Sequence, residues 1–431
     1  MPPASTAADR LLEGDRTVAA ELAATLLKPQ RDNLVERPWG GRNLCELKRL
    51  TSPACASGRT FGESFEISAD DSDDEARIHP SVLSLADGST ITLPALLAVH
   101  AEMLLGEAFV QRHGRRFPLL PKLLDVAELL SVQAHPPGNV EVYVIVHADP
   151  GATIRLGFAA DVDAGHFRAM LAAGRRNQQR LLELLGDDSA AELQALLKPW
   201  LAGRSTPASE LEAALRPRLR DGARWTDAAA LLASLRDVYW NALDALNAIP
   251  VKAGDVIYNA NPPRVAAARG EPASAEVHAL GNPEGLGVLA LEIRRPGPTF
   301  RAWDNVRFPL RNIDVDAALE ALNLKATPPA EFFVKPTPVR PGVRRSVSCE
   351  HFRLEHLEPT PSVSVEVPAC APHALHALAG RVRVLCADGS ELGGLARGES
   401  ALVPVNVGAY RVVADDVPAA LVKVDLPPYA D

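Results

Sequence analysis

The chain has 431 residues, 47% of them hydrophobic and 23% charged, with a formal net charge of −9. That length allows two or three domains, each with its own core. The acidic balance, without clustered basic residues, excludes a nucleic-acid-binding surface, and no apolar run reaches the ~18 residues of a membrane span.

In chain order, residues 1–30 read as a helical lead-in that stops at Lys28-Pro29. Residues 31–150 alternate short apolar runs with Gly, Pro, Asn and Asp. Within them, residues 90–93 and 141–146 have strand character, while residues 94–106 open on a proline and read as a helix. After Leu156-Gly157-Phe158 the composition turns to Ala, Leu, Arg and Glu. Leu181, Leu182, Leu184 and Leu185, then Leu231, Leu232, Leu235 and Val238, form stripes at helical spacing. Thr226-Asp227 is the expected N-cap of the second stripe. Strand character returns on both sides of Gly254-Asp255, and from about residue 330 short strands at 363–367, 381–385, 401–405 and 420–424 recur at the spacing of a sandwich or jelly roll. The 36 prolines and 29 glycines fit this turn-rich pattern.

Five cysteines, Cys45, Cys55, Cys349, Cys370 and Cys386, are odd in number, scattered and free of CxxC pairs. They argue against a disulfide framework and for a reducing compartment. The N-terminus lacks a positive-then-apolar leader pattern, so the expected location is the cytoplasm.

The most informative stretch is Ser131-Val132-Gln133-Ala134-His135, with Glu141 six residues beyond His135. In a strand, Gln133 and His135 share one face. Pro136-Pro137-Gly138 ends that strand, and Glu141 opens the next. Two neighbouring strands would then aim an amide oxygen, an imidazole and a carboxylate at one point. Such a set suits Zn²⁺ or a similar divalent ion with an open position; the competing reading is a satisfied polar cluster at a sheet end.

The surrounding segments are 117–125 (Phe-Pro-Leu-Leu-Pro-Lys-Leu-Leu-Asp), Glu36-Arg37-Pro38-Trp39-Gly40-Gly41, Gly62-Glu63-Ser64-Phe65-Glu66, Val277-His278-Ala279-Leu280-Gly281, Glu292-Ile293 and Thr299-Phe300-Arg301-Ala302-Trp303-Asp304. In this order, from about residue 28 to 312, the series resembles the type I phosphomannose isomerases, a family of zinc-dependent cupins. The resemblance implies a mainly β fold: a discontinuous catalytic cupin domain at 1–158 plus 250–312, a helical insertion at 159–249, and a second jelly roll at 313–431. It further implies a metal-dependent aldose–ketose isomerase that interconverts mannose 6-phosphate and fructose 6-phosphate through a cis-enediol. The partner is a small sugar phosphate, with no nucleic acid and no membrane.

By the same resemblance, one Zn²⁺ is held by Gln133, His135, Glu141 and a histidine from a later strand. The family places that histidine soon after a turn corresponding to Gly254-Asp255, where this chain has Asn259-Ala260-Asn261 instead. His278 is the replacement, some fifteen residues further on. Glu292 is implied as acid–base carboxylate, Arg301 as stabiliser of oxyanion charge, and Asp304 as its orienter or a proton carrier. Glu292 could equally be a strand-end carboxylate paired with Arg294. Ser131, two residues before Gln133 and on the same strand face, could donate to the phosphate; Lys122 resembles the family's active-site lysine, and Arg307 is a further, weaker phosphate candidate. Asn139 stands where many family members carry lysine, and could bond a sugar hydroxyl without supplying charge. That departure, with the displaced histidine, leaves a non-catalytic sugar-phosphate-binding or regulatory cupin as the alternative. An oxygenase is disfavoured by the glutamine ligand. Cys370-Ala-Pro-His373-Ala-Leu-His376 has metal-capable side chains but reads as a loop into the second β region.

Overall fold

The computed structural model describes residues 5–428 apart from 71, 73, 186–189, 204–206, 221, 263–266, 268–269, 271 and 370. Four large sheets dominate it. In spatial order the first contains Leu34–Val35, Glu63–Phe65, Lys122–Val126, Val288–Arg294, Glu141–Ala148 and Val256–Asn259. The second contains Phe300–Trp303, Val132–Ala134, His278–Ala279, Thr153–Phe158 and Leu246–Pro250. The third and fourth, built from strands between Thr337 and Asp425, have six and four strands. The strand pairs within all four are antiparallel.

The two-residue period of a strand sorts side chains into layers. In the first sheet, Leu123, Val142, Val144, Leu291 and Ile293 face one way, into a core shared with Leu93, Leu96 and Leu97 of the helix Leu93–Leu105 and with Leu354, Val422 and Val424 of the third sheet. Their neighbours Leu124, Tyr143, Ile145, Ala290 and Ile257 face the other way and pack with Ile154, Leu156 and Ile249 of the second sheet. The outer face of the second sheet, carrying Val132, Ala134, Val277 and Ala279, is covered by helical residues Phe167, Leu171, Leu232 and Leu235. Sheets covered on both faces have apolar residues on both, hence the buried runs at 122–126 and 288–294.

The composition shift after residue 158 is helical as read: Ala164–Leu185, Ala190–Ala202, Ser209–Leu215 and Trp225–Asp244. The lead-in forms Ala7–Leu12 and Arg16–Ala23. Among the described residues no helix is long and apolar enough to cross a membrane.

Three expectations are corrected. The last of the long helices starts at Trp225, ahead of the proposed cap; Asp227 lies within its first turn and pairs with Arg224 at 2.9 Å. Cys45 and Cys55 are joined in a disulfide, because the short helices Asn43–Leu47 and Pro53–Ala56 fold back and bring their Cα atoms to 5.8 Å. Finally, the strands carrying Gln133 and Glu141 are not neighbours. They lie in opposite sheets, and the Pro136-Pro137-Gly138 turn carries the chain from one to the other.

Candidate metal centre

Layering brings the site together. Val132 and Ala134 face the helices, so Gln133 faces the space between the first two sheets; so does His278, between Val277 and Ala279. Across that space, Glu141, Glu292, Lys122 and Asn259 alternate with residues of the opposite core. Register finishes the placement: His278 pairs with Gln133, Arg301 also with Gln133, Asn259 with Glu141, and Glu292 with both Lys122 and Tyr143.

His135, Glu141 and His278 are all buried, and their donor atoms lie within 4.8 Å of one another. His135 Nε2 is 2.8 Å from Glu141 Oε1, and His278 Nε2 is 3.4 Å from Glu141 Oε2. Donors bonded to one tetrahedral zinc at ~2.0–2.2 Å sit at comparable mutual separations. The Nδ1 atom of each imidazole lies against a backbone carbonyl, of Pro298 at 3.1 Å for His135 and of Glu276 at 2.9 Å for His278. Donation from Nδ1 leaves Nε2 with its lone pair facing the centre, the tautomer a metal ligand requires. His135 Nε2 and Glu141 Oε1 are buried without a hydrogen-bond partner. Orphaned buried donors and acceptors are costly, and a cation at their common point would satisfy them. Gln133 joins them, with its amide nitrogen 3.0 Å from His278 Nε2 and its oxygen accepting from Ser131 Oγ at 3.1 Å. Amide orientation follows from such networks; turned over, the amide presents its oxygen to the same point. The donor set fits a divalent ion.

Burial alone would push the Glu141 carboxyl up, but His135 and His278 beside it hold it well below the usual carboxylate range. Burial pushes the His278 imidazole down, against the opposite pull of Glu141. Asn259 Nδ2 donates to Glu141 Oε2 at 3.1 Å, and Tyr143 donates its hydroxyl proton to the same oxygen. Burial, then the Glu141 and Glu292 charges, hold that phenol well above its ordinary value.

His135 and Glu141 of the cluster line a cavity of about 390 Å³, also lined by Lys122, Ser131, Gln133, Glu292 and Arg301, with His278 behind them. Burial and the nearby Glu141 charge push Glu292 up to about 7, against the pull of Lys122 and Arg294. Lys122 Nζ is 4.0 Å from Glu292, 3.5 Å from Glu63, and 4.7 Å from the Phe65 ring centre. Arg301 Nε donates to Ser131 Oγ at 3.3 Å.

Besides His278, which lies behind the lining against Glu141, three expected residues stand outside it. Asp304 does not orient Arg301; it is gripped by Arg307 at 3.1 Å and Arg311 Nε at 2.7 Å. Arg307 is buried behind the Trp39 ring and donates to Leu129 O, so it is spent structurally and not open to a phosphate. Asn139, in the turn before Glu141, donates to Arg295 O at 3.3 Å, away from the cavity. Besides Lys122 and Arg301, the cations that line it are Arg37, Arg294 and Arg311, which the sequence reading did not select as site residues. Arg294 was named only as a partner for Glu292, and its Nε is 3.7 Å away. Strand parity relative to Glu292 was the signal that could have placed it. Trp39, read as an aromatic at a turn, instead lines the cavity beneath Arg37 and Arg311.

Fold and site together define a mostly β protein with helices, holding a buried two-histidine, one-carboxylate cluster of metal-binding geometry. Comparison with known proteins narrows the class. Residues 33–151 match the family model for the phosphomannose isomerase type I catalytic domain, the segment that supplies Gln133, His135 and Glu141. The chain thus resembles the type I phosphomannose isomerases, as its motifs implied. It is 31% identical over 150 residues to the mannose-6-phosphate isomerase of Streptococcus mutans, across 32% of this chain and 42% of that protein. The alignment thus spans less than half of that relative. The mannose 6-phosphate isomerase structure from Bacillus subtilis is similar over 93% of this chain and 99% of its own, at 18% identity and a TM-score of 0.58. A zinc-bound mannose 6-phosphate isomerase structure is similar over 93% and 98%, at 16% identity and a TM-score of 0.57. At these identities the structural likeness speaks for the fold.

Proposed function

We propose that the chain is a metal-dependent isomerase that interconverts mannose 6-phosphate and fructose 6-phosphate through a cis-enediol. The observation that carries this reading is geometric: His135 and Glu141 of the His135–Glu141–His278 cluster line the same cavity as the buried carboxyl of Glu292, with Lys122 and Arg301 beside it. We assign Gln133, His135, Glu141 and His278 as the ligands of one Zn²⁺. The ion when bound would act as a Lewis acid toward the sugar oxygens.

The remaining work falls to side chains. An aldose–ketose isomerase must move a proton between C1 and C2. Glu292, poised near pH 7, can accept that proton as carboxylate and return it as carboxylic acid, the condition under which general acid–base catalysis is efficient. Arg301 neutralises oxyanion charge that develops during the transfer. Lys122 keeps Glu292 from being pushed still higher and offers a cation to the substrate. The phosphate end is assigned to Ser131 with Arg37 and Arg311, the last held in place by Asp304. The architecture that fits this reading is a pair of jelly rolls, with the strands from 34 to 303 forming the catalytic one, residues 159–249 inserted in it, and residues 313–431 forming the other.

The test is a coupled assay of fructose 6-phosphate formation from mannose 6-phosphate. Turnover that chelator removes and zinc restores supports the reading. Bound metal without turnover would instead identify a sugar-phosphate-binding protein.

A further inference from the structure

A second cleft lies on the far side of the 294–297 segment from the metal-type cavity. It measures about 650 Å³ and opens where the helix Glu107–His113, the 350–351 turn and Leu426-Pro427 meet. Four guanidiniums line it, those of Arg112, Arg115, Arg116 and Arg295, against the single carboxylate of Glu350. Arg115 is paired with Glu102 at 2.5 Å and Arg116 with Asp70 at 3.4 Å. Arg112 and Arg295 have no ion-pair partner among the described residues. In a chain of net charge −9, carboxylates are abundant, so two unmatched arginines in one concave site are not a consequence of composition. His351 Nε2 is buried in the same lining without a hydrogen-bond partner, and Glu350 stands 3.4 Å from it. Guanidiniums with unpaired N–H groups lining one concavity match the planar, multidentate donor pattern that phosphate oxygens accept.

We propose that this cleft binds the dianionic phosphate group of a small molecule, at an anion site separate from the metal-type cavity. Its positive charge comes from guanidinium groups, since burial pushes both His113 and His351 below the ordinary imidazole value. The cleft also shares structure with the cavity. Arg295 adjoins Arg294, whose side chain lines the cavity and donates to Arg295 O at 2.9 Å. Asn139 donates to that same carbonyl, and the backbone of Gly138 hydrogen-bonds the His351 ring. A ligand gripping Arg295 is therefore one residue from Arg294 of the cavity, on a segment bonded to Asn139 of the turn that leads into Glu141. The assignment stands independently of the isomerase reading.

Calorimetric titration of the metal-loaded protein with inorganic phosphate tests it. Arg112 and Arg295 are exposed, so Arg112→Gln/Arg295→Gln leaves the fold untouched, and Arg301→Gln perturbs the other cavity alone. The expected result is a phosphate-binding event that Arg301→Gln preserves and Arg112→Gln/Arg295→Gln weakens at least ~10-fold, the scale of one lost charge-assisted hydrogen bond. Unchanged binding in the double variant, or no binding event beyond one abolished by Arg301→Gln, overturns the proposal. Glycerol 3-phosphate as a second probe separates the sources. Tighter binding than inorganic phosphate assigns the cleft to a phosphorylated metabolite, and equal or weaker binding assigns it to free phosphate.

Discussion

Histidines on strands occur in both halves of the molecule, with opposite outcomes. In the second half, His373 stacks on Tyr410 and engages its hydroxyl at 2.6 Å, while its Nδ1 meets Ala371 O at 3.0 Å. His376 meets Ser400 Oγ at 2.8 Å, and Ser400 donates to Glu66, which is paired with Lys48 at 2.7 Å. Apart from His376 Nε2, these atoms are matched one to one inside close-packed cores. In the first half, His135, Glu141 and His278 leave their acceptor atoms turned toward one point beneath a cavity. A metal centre is thus distinguished less by residue type than by what its atoms lack. Saturated polar networks lock packing; His135 Nε2 and Glu141 Oε1, buried without a hydrogen-bond partner beside His278, are where a cation fits.

The largest effect that would break this contrast comes from His135→Ala and His278→Ala. Each is expected to abolish both bound metal and turnover while circular dichroism stays native, because the apolar cores lie elsewhere. His373→Phe should do the reverse, costing ~1–3 kcal/mol of stability through the lost His373–Tyr410 hydrogen bond with kcat unchanged. Metal analysis and thermal melts of these variants would collapse the comparison if both regions behaved alike.

Next in size is Arg301→Ala, expected to lower kcat by ~10²–10³-fold and to disturb KM less, the pattern of a charge needed mainly in the transition state. Arg301→Lys should recover part of the loss, since charge returns without the planar fork. A rise in KM alone would move Arg301 to phosphate binding.

Acid should destabilise the second half. Burial pushes His373 and His376 to about 4 from 6.5. Between those values the unfolded chain binds more protons than the native one, so stability falls as pH drops from 6.5 toward 4, by up to ~3 kcal/mol for each histidine. Melting curves across this window check the sign, and the drop should shrink in His373→Phe.

The smallest expected effect is on the pH profile. Glu292 as carboxylate base gives activity that falls below about pH 7, and Lys122 pulls its pKa downward. Lys122→Met should therefore shift the acidic limb of the kcat profile to higher pH. An unmoved limb would assign that limb to another group.

The sequence made strand character and local alternation readable, so Gln133, His135 and Glu141 could be grouped from spacing alone. His278 was accessible only through the motif order, because its strand is two residues long and carries no periodicity. Sheet assignment was not readable: a short proline-rich turn looks the same whether it joins neighbours or crosses a sandwich, and Glu141 proved to face His135 from the opposite sheet. Long-range ion pairing was equally hidden. Asp304 and Arg307 looked available three residues apart, until Arg311 and the Leu129 carbonyl claimed them. The Cys45–Cys55 bond depended on two short helices folding back, which scattered spacing does not reveal.

The most direct test of the central claim is metal analysis of the purified protein combined with the mannose 6-phosphate assay, before chelation, after it, and after adding zinc back. The account predicts about one divalent ion per chain, loss of both metal and fructose 6-phosphate formation on chelation, and recovery of both with zinc. Full turnover by metal-free protein, or an ion retained by His135→Ala and His278→Ala alike, would contradict it.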